Sequence, residues 1–499
     1  MIKNDNIVQS SHSPKGGEGG GLKSLAKDTA IYGLSSIIGR FLNYLLVPLY
    51  THYMPTESGD YGISTNLYAY TALILVMLTF GMETTLFRFA NEEGEKSDTV
   101  FSTGFGLIAS LTTVFLALVF GFITPIADYL GYAEHHNYLL MMAAVVAMDA
   151  LQALPFSYLR FQKRPIRFAS LKLLFIAFNI GLNVLFFVIL HKTSVFYVFA
   201  LNLACTGLIT LLFIPEIFKI QWHFDWTLLR RMLSYSWPIL ILGIAGILNQ
   251  VADKIMFPLV YPDEADAQVQ LGIYGSCVKI AMIMAMITQA FRYAYEPIVF
   301  AKAKDGDKNE YYAVAMKYFL VFTLLAFLCV MGYIDVLQLI LGKGYREGMA
   351  VVPIVMVAEI MMGVYFNLSF WYKLIDKTIY GAWFSLAGCT VLFAVNYYFI
   401  PQYSYMACAW GGVAGYGTAM VLSYIVGQIK NPIPYPMKSI MVYVLLTALF
   451  YTVMQLVPRE WPLLLRLAIN TVLICAFVGH ILYHDLPLKS LPVIGKYFR

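Results

Sequence analysis

The chain has 499 residues, 60% hydrophobic and 13% charged, with 34 Lys and Arg against 29 Asp and Glu for a formal charge of +5. Soluble domains carry about 25% charged residues, so this composition excludes a soluble globular protein and indicates an all-α polytopic membrane protein. The positive charge does not point to nucleic acid, because the basic residues are spread over short loops and build no patch interleaved with aromatics.

The first 24 residues, opening MIKNDNIVQSSHSPKGGEGGGL, are polar and rich in Gly and Ser. They read as a disordered cytoplasmic tail; no charged-apolar-cleavage sequence of a signal peptide opens the chain. Apolar segments then follow near 27–50, 60–82, 100–124, 137–159, 168–190, 195–217 and 234–258, and again near 272–299, 313–334, 349–372, 378–400, 406–428, 437–457 and 463–483. Each reaches the roughly 20 residues that cross a bilayer, which predicts about fourteen transmembrane helices.

Several of these segments carry charge where hydrocarbon does not tolerate it. Arg40 lies about 13 residues into the first, some 20 Å deep at 1.5 Å per residue, on a face with Thr29, Gly33, Ser36 and Tyr44. It either binds an anionic substrate or closes a structural ion pair. Asp149 in VVAMDALQAL and Glu359 in VMVAEIMMGV each lie near mid-membrane with no basic residue in their own helix. Such a carboxylate either binds a proton or sodium ion or is a protonated group bonded between helices.

The segment 234–258 is amphipathic in an unusual way. Gly243, Gly246, Asn249, Gln250, Asp253 and Lys254 fall within a sector of roughly 140°, so that side should face protein or a wet cavity. Lys254 lies close enough to the segment's outer end to snorkel, and Asp253 is placed to pair with it. In the next segment Lys279 sits about seven residues in, and Arg292, with Gln289 and Glu296 on its face, reads as an anchor near the far boundary.

A shift of 210 positions overlays the second part of the chain on the first. Ile31/Ile241, Gly33/Gly243, Pro48/Pro258, Gly62/Gly272 and Ile63/Ile273 match, and Asp149 meets Glu359. Six helices separate the copies, so the repeats run parallel. The predicted organisation is a tail (1–24), two six-helix lobes (25–220 and 221–430), and two further helices with a short cytoplasmic C-terminus (431–499).

Placing the tail in the cytoplasm puts most loop Lys and Arg on the same side, including the cluster RFQKRPIR (160–167) and Lys172, and both termini inside. The acidic hairpin YPDEADAQVQ (261–270) then lies outside.

Enzyme and metal motifs are missing. GKGYREG (342–348) lacks the spacing and Ser/Thr of a phosphate-binding loop, and His135–His136 have no HExxH spacing. Cys205, Cys277, Cys329, Cys389, Cys408 and Cys475 sit in apolar runs without CxxC spacing and read as buried small hydrophobes. No cofactor is expected, and loops of about 15–20 residues at most leave no room for a folded extramembrane domain.

GMETTLFRF (81–89), LGIYGSCVKIA (271–281), QAFRYAYEPIVF (289–300), NLSFWYKLIDKTIYGA (367–382) and PIPYP (432–436) resemble the polysaccharide-transport (Wzx-type) flippases of the multidrug/oligosaccharidyl-lipid/polysaccharide exporter superfamily, Bacteroidetes-type members in particular. The resemblance runs from about residue 24 onward. It implies two six-helix lobes around a central cavity and, as the activity, transfer of an oligosaccharide on undecaprenyl pyrophosphate across the bacterial inner membrane. The partners implied are the lipid-linked oligosaccharide, the bilayer, a proton or sodium ion, and a glycan polymerase in the same membrane. Arg40, Lys254 and Lys279 would meet the pyrophosphate; Asn249, Gln250 and Asp253 would meet the glycan; Asp149 and Glu359 would couple transport to the ion. The last two helices would form a groove for the lipid tail. Lipid II flippases carry several arginines in helix 1 and this chain has Arg40 alone, a departure that weakens a peptidoglycan-precursor reading. The rivals are a drug–cation antiporter of the same superfamily, which usually has about twelve helices, and a membrane glycan polymerase or ligase, which carries long outer loops.

Overall fold

The computed structural model describes residues 44–301, 308–373, 375 and 377–485. All long elements among them are helices. A short α1 (Leu46–Tyr53) ends the first apolar segment. α2 (Asp60–Thr79) and α3 (Met82–Ala90) form one span broken at Phe80 and Gly81, whose φ angles are +50° and +67°. The expected end near residue 82 is therefore a kink, and the helix resumes to Ala90. α4 (Ser97–Gly121), α5 (Ile123–Leu130), α6 (His136–Phe161), α7 (Pro165–Val184) and α8 (Val195–Phe218) complete the first half.

The second half holds α9 (Trp226–Val260), α10 (Glu264–Ala281), α11 (Ile283–Ala301), α12 (Lys308–Gly332), α13 (Val351–Leu368), α14 (Ile379–Tyr403) and α15 (Tyr405–Lys430). α16 (Met437–Leu456) and α17 (Leu463–His484) follow. Among the described residues twelve helices are long and apolar enough to cross a membrane, and α10 with α11, bent by 41°, makes a thirteenth. The first expected span, 27–50, lies largely outside the described residues. The protein is a multi-pass, all-helical membrane protein, in agreement with the expected count of about fourteen.

Local chemistry sets several boundaries. Asp225 caps α9 by accepting from the amides of Thr227 (2.7 Å) and Leu228 (3.0 Å), so this helix starts eight residues before the apolar run and reaches 35 residues. Asp263 caps α10 in the same way through Ala265 N (3.1 Å) and Asp266 N (3.3 Å). The acidic stretch expected as a hairpin loop is consequently a turn at Tyr261–Asp263 followed at once by helix. Acidic residues in a first turn are favourable against the helix dipole, and Glu264 and Asp266 occupy that turn.

The halves meet along α2, α9 and α10. A Cβ on Gly62 would fall 1.7 Å from Gln268 O, so α2 and α10 cross in backbone contact. At the same end of the molecule Gly342 N donates to Thr51 Oγ1 (3.2 Å), and Tyr345 stands edge-on to Tyr61. The principal core joins both halves here, with Tyr61, Tyr132, Tyr274 and Tyr345 among its buried members. At the opposite, Arg-rich end Arg231 of α9 pairs with Glu92 and, at 2.7 Å, with Glu95, both in the loop after α3.

Two cysteines depart from expectation. Cys475 is exposed on α17 and Cys329 is half-buried on α12, whereas Cys205, Cys277, Cys389 and Cys408 are buried. A thiol is apolar enough to face hydrocarbon, so burial in protein is not required of it.

Candidate functional site

Lys254, six residues before the end of α9, is clasped by its neighbour. Its Nζ lies 3.0 and 2.9 Å from the two carboxylate oxygens of Asp253 and donates to Gln250 O at 3.1 Å. Tyr274 of α10 donates to Asp253 Oδ2 at 2.6 Å, and its ring centroid is 5.8 Å from the ammonium. The pair is mostly enclosed, with side-chain exposures of 19% and 12%. Adjacent residues on a helix do not face each other, so the pair forms because both side chains bend into the seam between α9 and α10.

The rest of the polar face of α9 divides. Asn249 donates to Ala245 O (2.9 Å) and Ser385 O (3.1 Å), and its carbonyl accepts from Tyr416 (2.9 Å). Its amide nitrogen thus bolts α9 to α14, and its carbonyl ties α9 to α15. Gln250 is exposed, with its side chain turned back toward Gly246 O at 3.4 Å. Asn66 of α2 donates to Lys254 O at 2.8 Å and accepts from Tyr132 at 2.8 Å, which ties the first half to the site.

Lys279 is deeper than the sequence suggested. Because α10 starts at Glu264, Lys279 is about 15 residues in, some 22 Å at 1.5 Å per residue, and the bend to α11 follows two residues later. It is half-buried, stands 5.6 Å from the ring of Tyr44, and has no ion pair among the described residues. Lys254 is near enough for their charges to interact. Glu359 of α13 is half-buried and lies within electrostatic reach of both Lys254 and Asp253. Four of the predicted charges therefore converge in the second half.

Asp149 lies apart, half-buried on α6. Its charged neighbour is Lys172 of α7, which the alternation of loops had put at a boundary. Lys172 instead reaches inward, with its Nζ 3.9 Å from the ring centroid of Phe156, and also feels Glu83 and Arg160. Glu83 accepts from Ser157 (3.0 Å) and Arg160 (3.3 Å) just past the Phe80–Gly81 kink. Sequence reading missed Tyr274, Lys172 and Glu83, and only the last two carried a signal, an isolated charge at the edge of an apolar run. Arg40 lies outside the described residues.

A large apolar cavity, about 740 Å³, opens between α12, α13, α15 and α16. Leu320, Phe327, Ile354, Val357, Met420 and Tyr451 are among its walls. Of the final two helices α16 contributes to it and α17 does not.

The model of the family described as "Polysaccharide biosynthesis protein" matches residues 25–299, more than half of the chain. The chain belongs to that family. No curated protein matches it. Among solved structures, this family member is similar to the lipid II flippase MurJ in its inward closed conformation, with a TM-score of 0.73 at 14% identity over 91% of this chain and 98% of that one. An inward-facing multidrug resistance MATE family transporter of the MOP superfamily follows at 0.62 and 13%, covering 81% and 95%. The MATE multidrug transporter DinF-BH matches at 0.58 and 16%, covering 85% and 99%. At these identities the likeness is one of fold.

Proposed function

We propose that this protein is a flippase that carries an oligosaccharide linked to undecaprenyl pyrophosphate across the bacterial inner membrane. It works by alternating access between a lobe at 25–220 and a lobe at 221–430, with both termini cytoplasmic. The carrying observation is that Lys254 and Lys279 lie inside the same half of the bundle as the 740 Å³ apolar cavity. A pyrophosphate needs cations in a low-dielectric setting, and an isoprenoid tail needs a dry, carbon-lined wall. Asp253 holds Lys254 until the phosphate displaces it, and Gln250 offers an amide to the glycan. Asp149 and Glu359, one in each lobe, exchange a proton or sodium ion, and a membrane glycan polymerase receives the flipped unit.

A drug–cation antiporter has the same fold, but its cargo is cationic, and Lys279, an ammonium with no ion pair among the described residues, repels it. Loss of the protein in its host should leave lipid-linked glycan on the inner leaflet. Reconstituted into vesicles loaded with that lipid, the purified protein should make the glycan accessible to an external lectin. Glycan units that reach the outer leaflet unpolymerised in the deletion strain would overturn the flippase reading in favour of a polymerase.

A further inference from the structure

A second cavity, about 180 Å³, opens where the start of α4 meets the ends of α6 and α8, at the Arg-rich end of the first half. A single water needs about 10–15 Å³, so this space admits a polar organic group. Asp98, Arg164, Glu216 and Lys219 line it, two acids and two bases. Arg164 and Lys219 are exposed, and neither side chain has an ion pair or hydrogen bond among the described residues. The backbone fixes Arg164 at the wall: Lys163 turns the chain at a φ of +54°, and the Arg164 amide donates to Leu159 O at 3.0 Å.

The acids are only partly used. Glu216 takes Arg167 on Oε1 alone, at 2.8 Å from Nε and 2.7 Å from the second guanidinium nitrogen. Its Oε2 is buried with no hydrogen-bond partner among the described residues. Asp98 accepts from the Tyr158 hydroxyl and, at a long 3.4 Å, from Gln221 N. A carboxylate oxygen left unbonded out of water is costly and calls for a donor. The cavity thus offers two free cations and two carboxylates short of N–H groups. An anion alone would meet Asp98 and Glu216, and a cation alone would meet Arg164 and Lys219. A zwitterion that joins a phosphate to an N–H-bearing ammonium satisfies all four.

The surroundings are those of a lipid headgroup. Trp222 and Trp226, both exposed, follow the end of α8, and tryptophans exposed at helix ends mark the headgroup level of a bilayer. Trp222 stands edge-on to Phe101, itself a wall of the cavity, with ring centroids 6.5 Å apart. Phe218, in the last turn of α8, is 79% exposed and gives acyl chains an apolar surface beside the opening. We propose that this cavity binds the headgroup of a phosphatidylethanolamine, with the phosphate on Arg164 and Lys219 and the primary ammonium on Glu216 and Asp98. The lipid then ties together the ends of α4, α6 and α8, whatever cargo the protein carries.

The test adds single lipids to the delipidated full chain in detergent and follows the tightest-bound copy by native mass spectrometry. Dioleoyl-phosphatidylethanolamine should bind about tenfold more tightly than phosphatidylcholine of the same chains, whose trimethylated ammonium has no N–H to give Glu216. Arg164→Gln/Lys219→Gln should lose that tight binding, and Arg164→Lys/Lys219→Arg should keep it. Glu216→Gln should lose the preference between the two lipids. Arg167→Gln cuts the same ion pair but leaves the carboxylate, and should keep the preference. A thermal scan without lipid checks each fold; should the first double variant unfold, Lys219→Gln alone, at an exposed helix end, should still weaken binding several-fold. Equal binding of the two lipids, or an unchanged preference in the folded Arg164 and Lys219 variants, overturns the site. Phosphatidylglycerol bound as tightly as phosphatidylethanolamine would make it an anion site and overturn the zwitterion. Glycerophosphoethanolamine, the same headgroup without chains, should bind far more weakly; equal affinity would make the ligand a soluble phosphate ester and overturn the lipid.

Discussion

Gly62 and Gly272, 210 positions apart and equivalent in the two repeats, touch each other. A Cβ on either would lie 3.0 Å from the other's amide nitrogen. Equivalent positions meet in this way where a two-fold axis relates two copies, because only on the axis does a residue face its own counterpart. The contact also seals one end of the molecule, since Gln268 O occupies the space a Gly62 side chain would need. Gly62→Leu should therefore pry α2 from α10. Cys277, buried against Tyr345 O at 3.3 Å one face away, reports it. In a background with the other five cysteines replaced, labelling of Cys277 by a maleimide should rise at least tenfold; an unchanged rate would mean that the seal is made elsewhere.

The Asp253–Lys254 pair should be visible in stability. Removing one partner of an enclosed pair strands the other charge, at a cost of about 3 kcal/mol. Asp253→Leu and Lys254→Met should each lower the unfolding midpoint in detergent, while the double variant should lose less than the sum. A coupling energy of at least about 1 kcal/mol in the double-mutant cycle is the expected reading.

Lys279 should behave in the opposite way. With no ion pair among the described residues to be lost, Lys279→Met should leave stability within about 1 kcal/mol or raise it, since a half-buried charge is costly. Transport of the lipid-linked glycan should fall at least tenfold, and Lys279→Arg should recover part of it. Equal transport by the methionine variant would remove Lys279 from the cargo path.

Coupling is tested at the two deep carboxylates. Asp149→Asn and Glu359→Gln keep size and hydrogen bonding and remove ionisation. In vesicles with an imposed pH or sodium gradient, the double variant should lose gradient-driven export and retain cargo binding. Undiminished export would exclude both residues as the coupling site.

Asp485 ends α17 where three side chains converge on it. Lys317 and Tyr443 bond its carboxylate, and Tyr318 donates to its carbonyl at 3.1 Å. Burial pushes its carboxyl up, but the hydrogen bonds from Lys317 and Tyr443 and the nearby positive charge outweigh it and hold the group below the ordinary Asp range. A depressed native value means stability that is present above the unfolded pKa of about 4 and lost as pH falls through the native one. Wild-type protein should lose thermal stability below about pH 4 more steeply than Asp485→Asn, which has no such group to protonate. Parallel acid profiles would show that Asp485 does not anchor the last helix.

The helical class, the approximate number of spans and the charges at Asp149, Lys254, Lys279 and Glu359 were legible in the chain before any folding, because hydrocarbon allows few alternatives to an apolar helix and makes a charge within an apolar run conspicuous. The repeat was legible too, since Gly62/Gly272 and Asp149/Glu359 emerge by offset alone. Packing settled what remained. That Asp253 turns to Lys254 and Tyr274, and Asn249 to Ser385, depends on which neighbouring helix fills the seam, and helical periodicity carries no information about neighbours. The depth of Lys279 followed from the Asp263 cap, a signal written in polar residues outside the apolar run. Lys172 shows the limit most clearly: its position along α7 looks like a boundary residue, and only the packing of α6 beside it, with Phe156 and Asp149, turns the side chain inward.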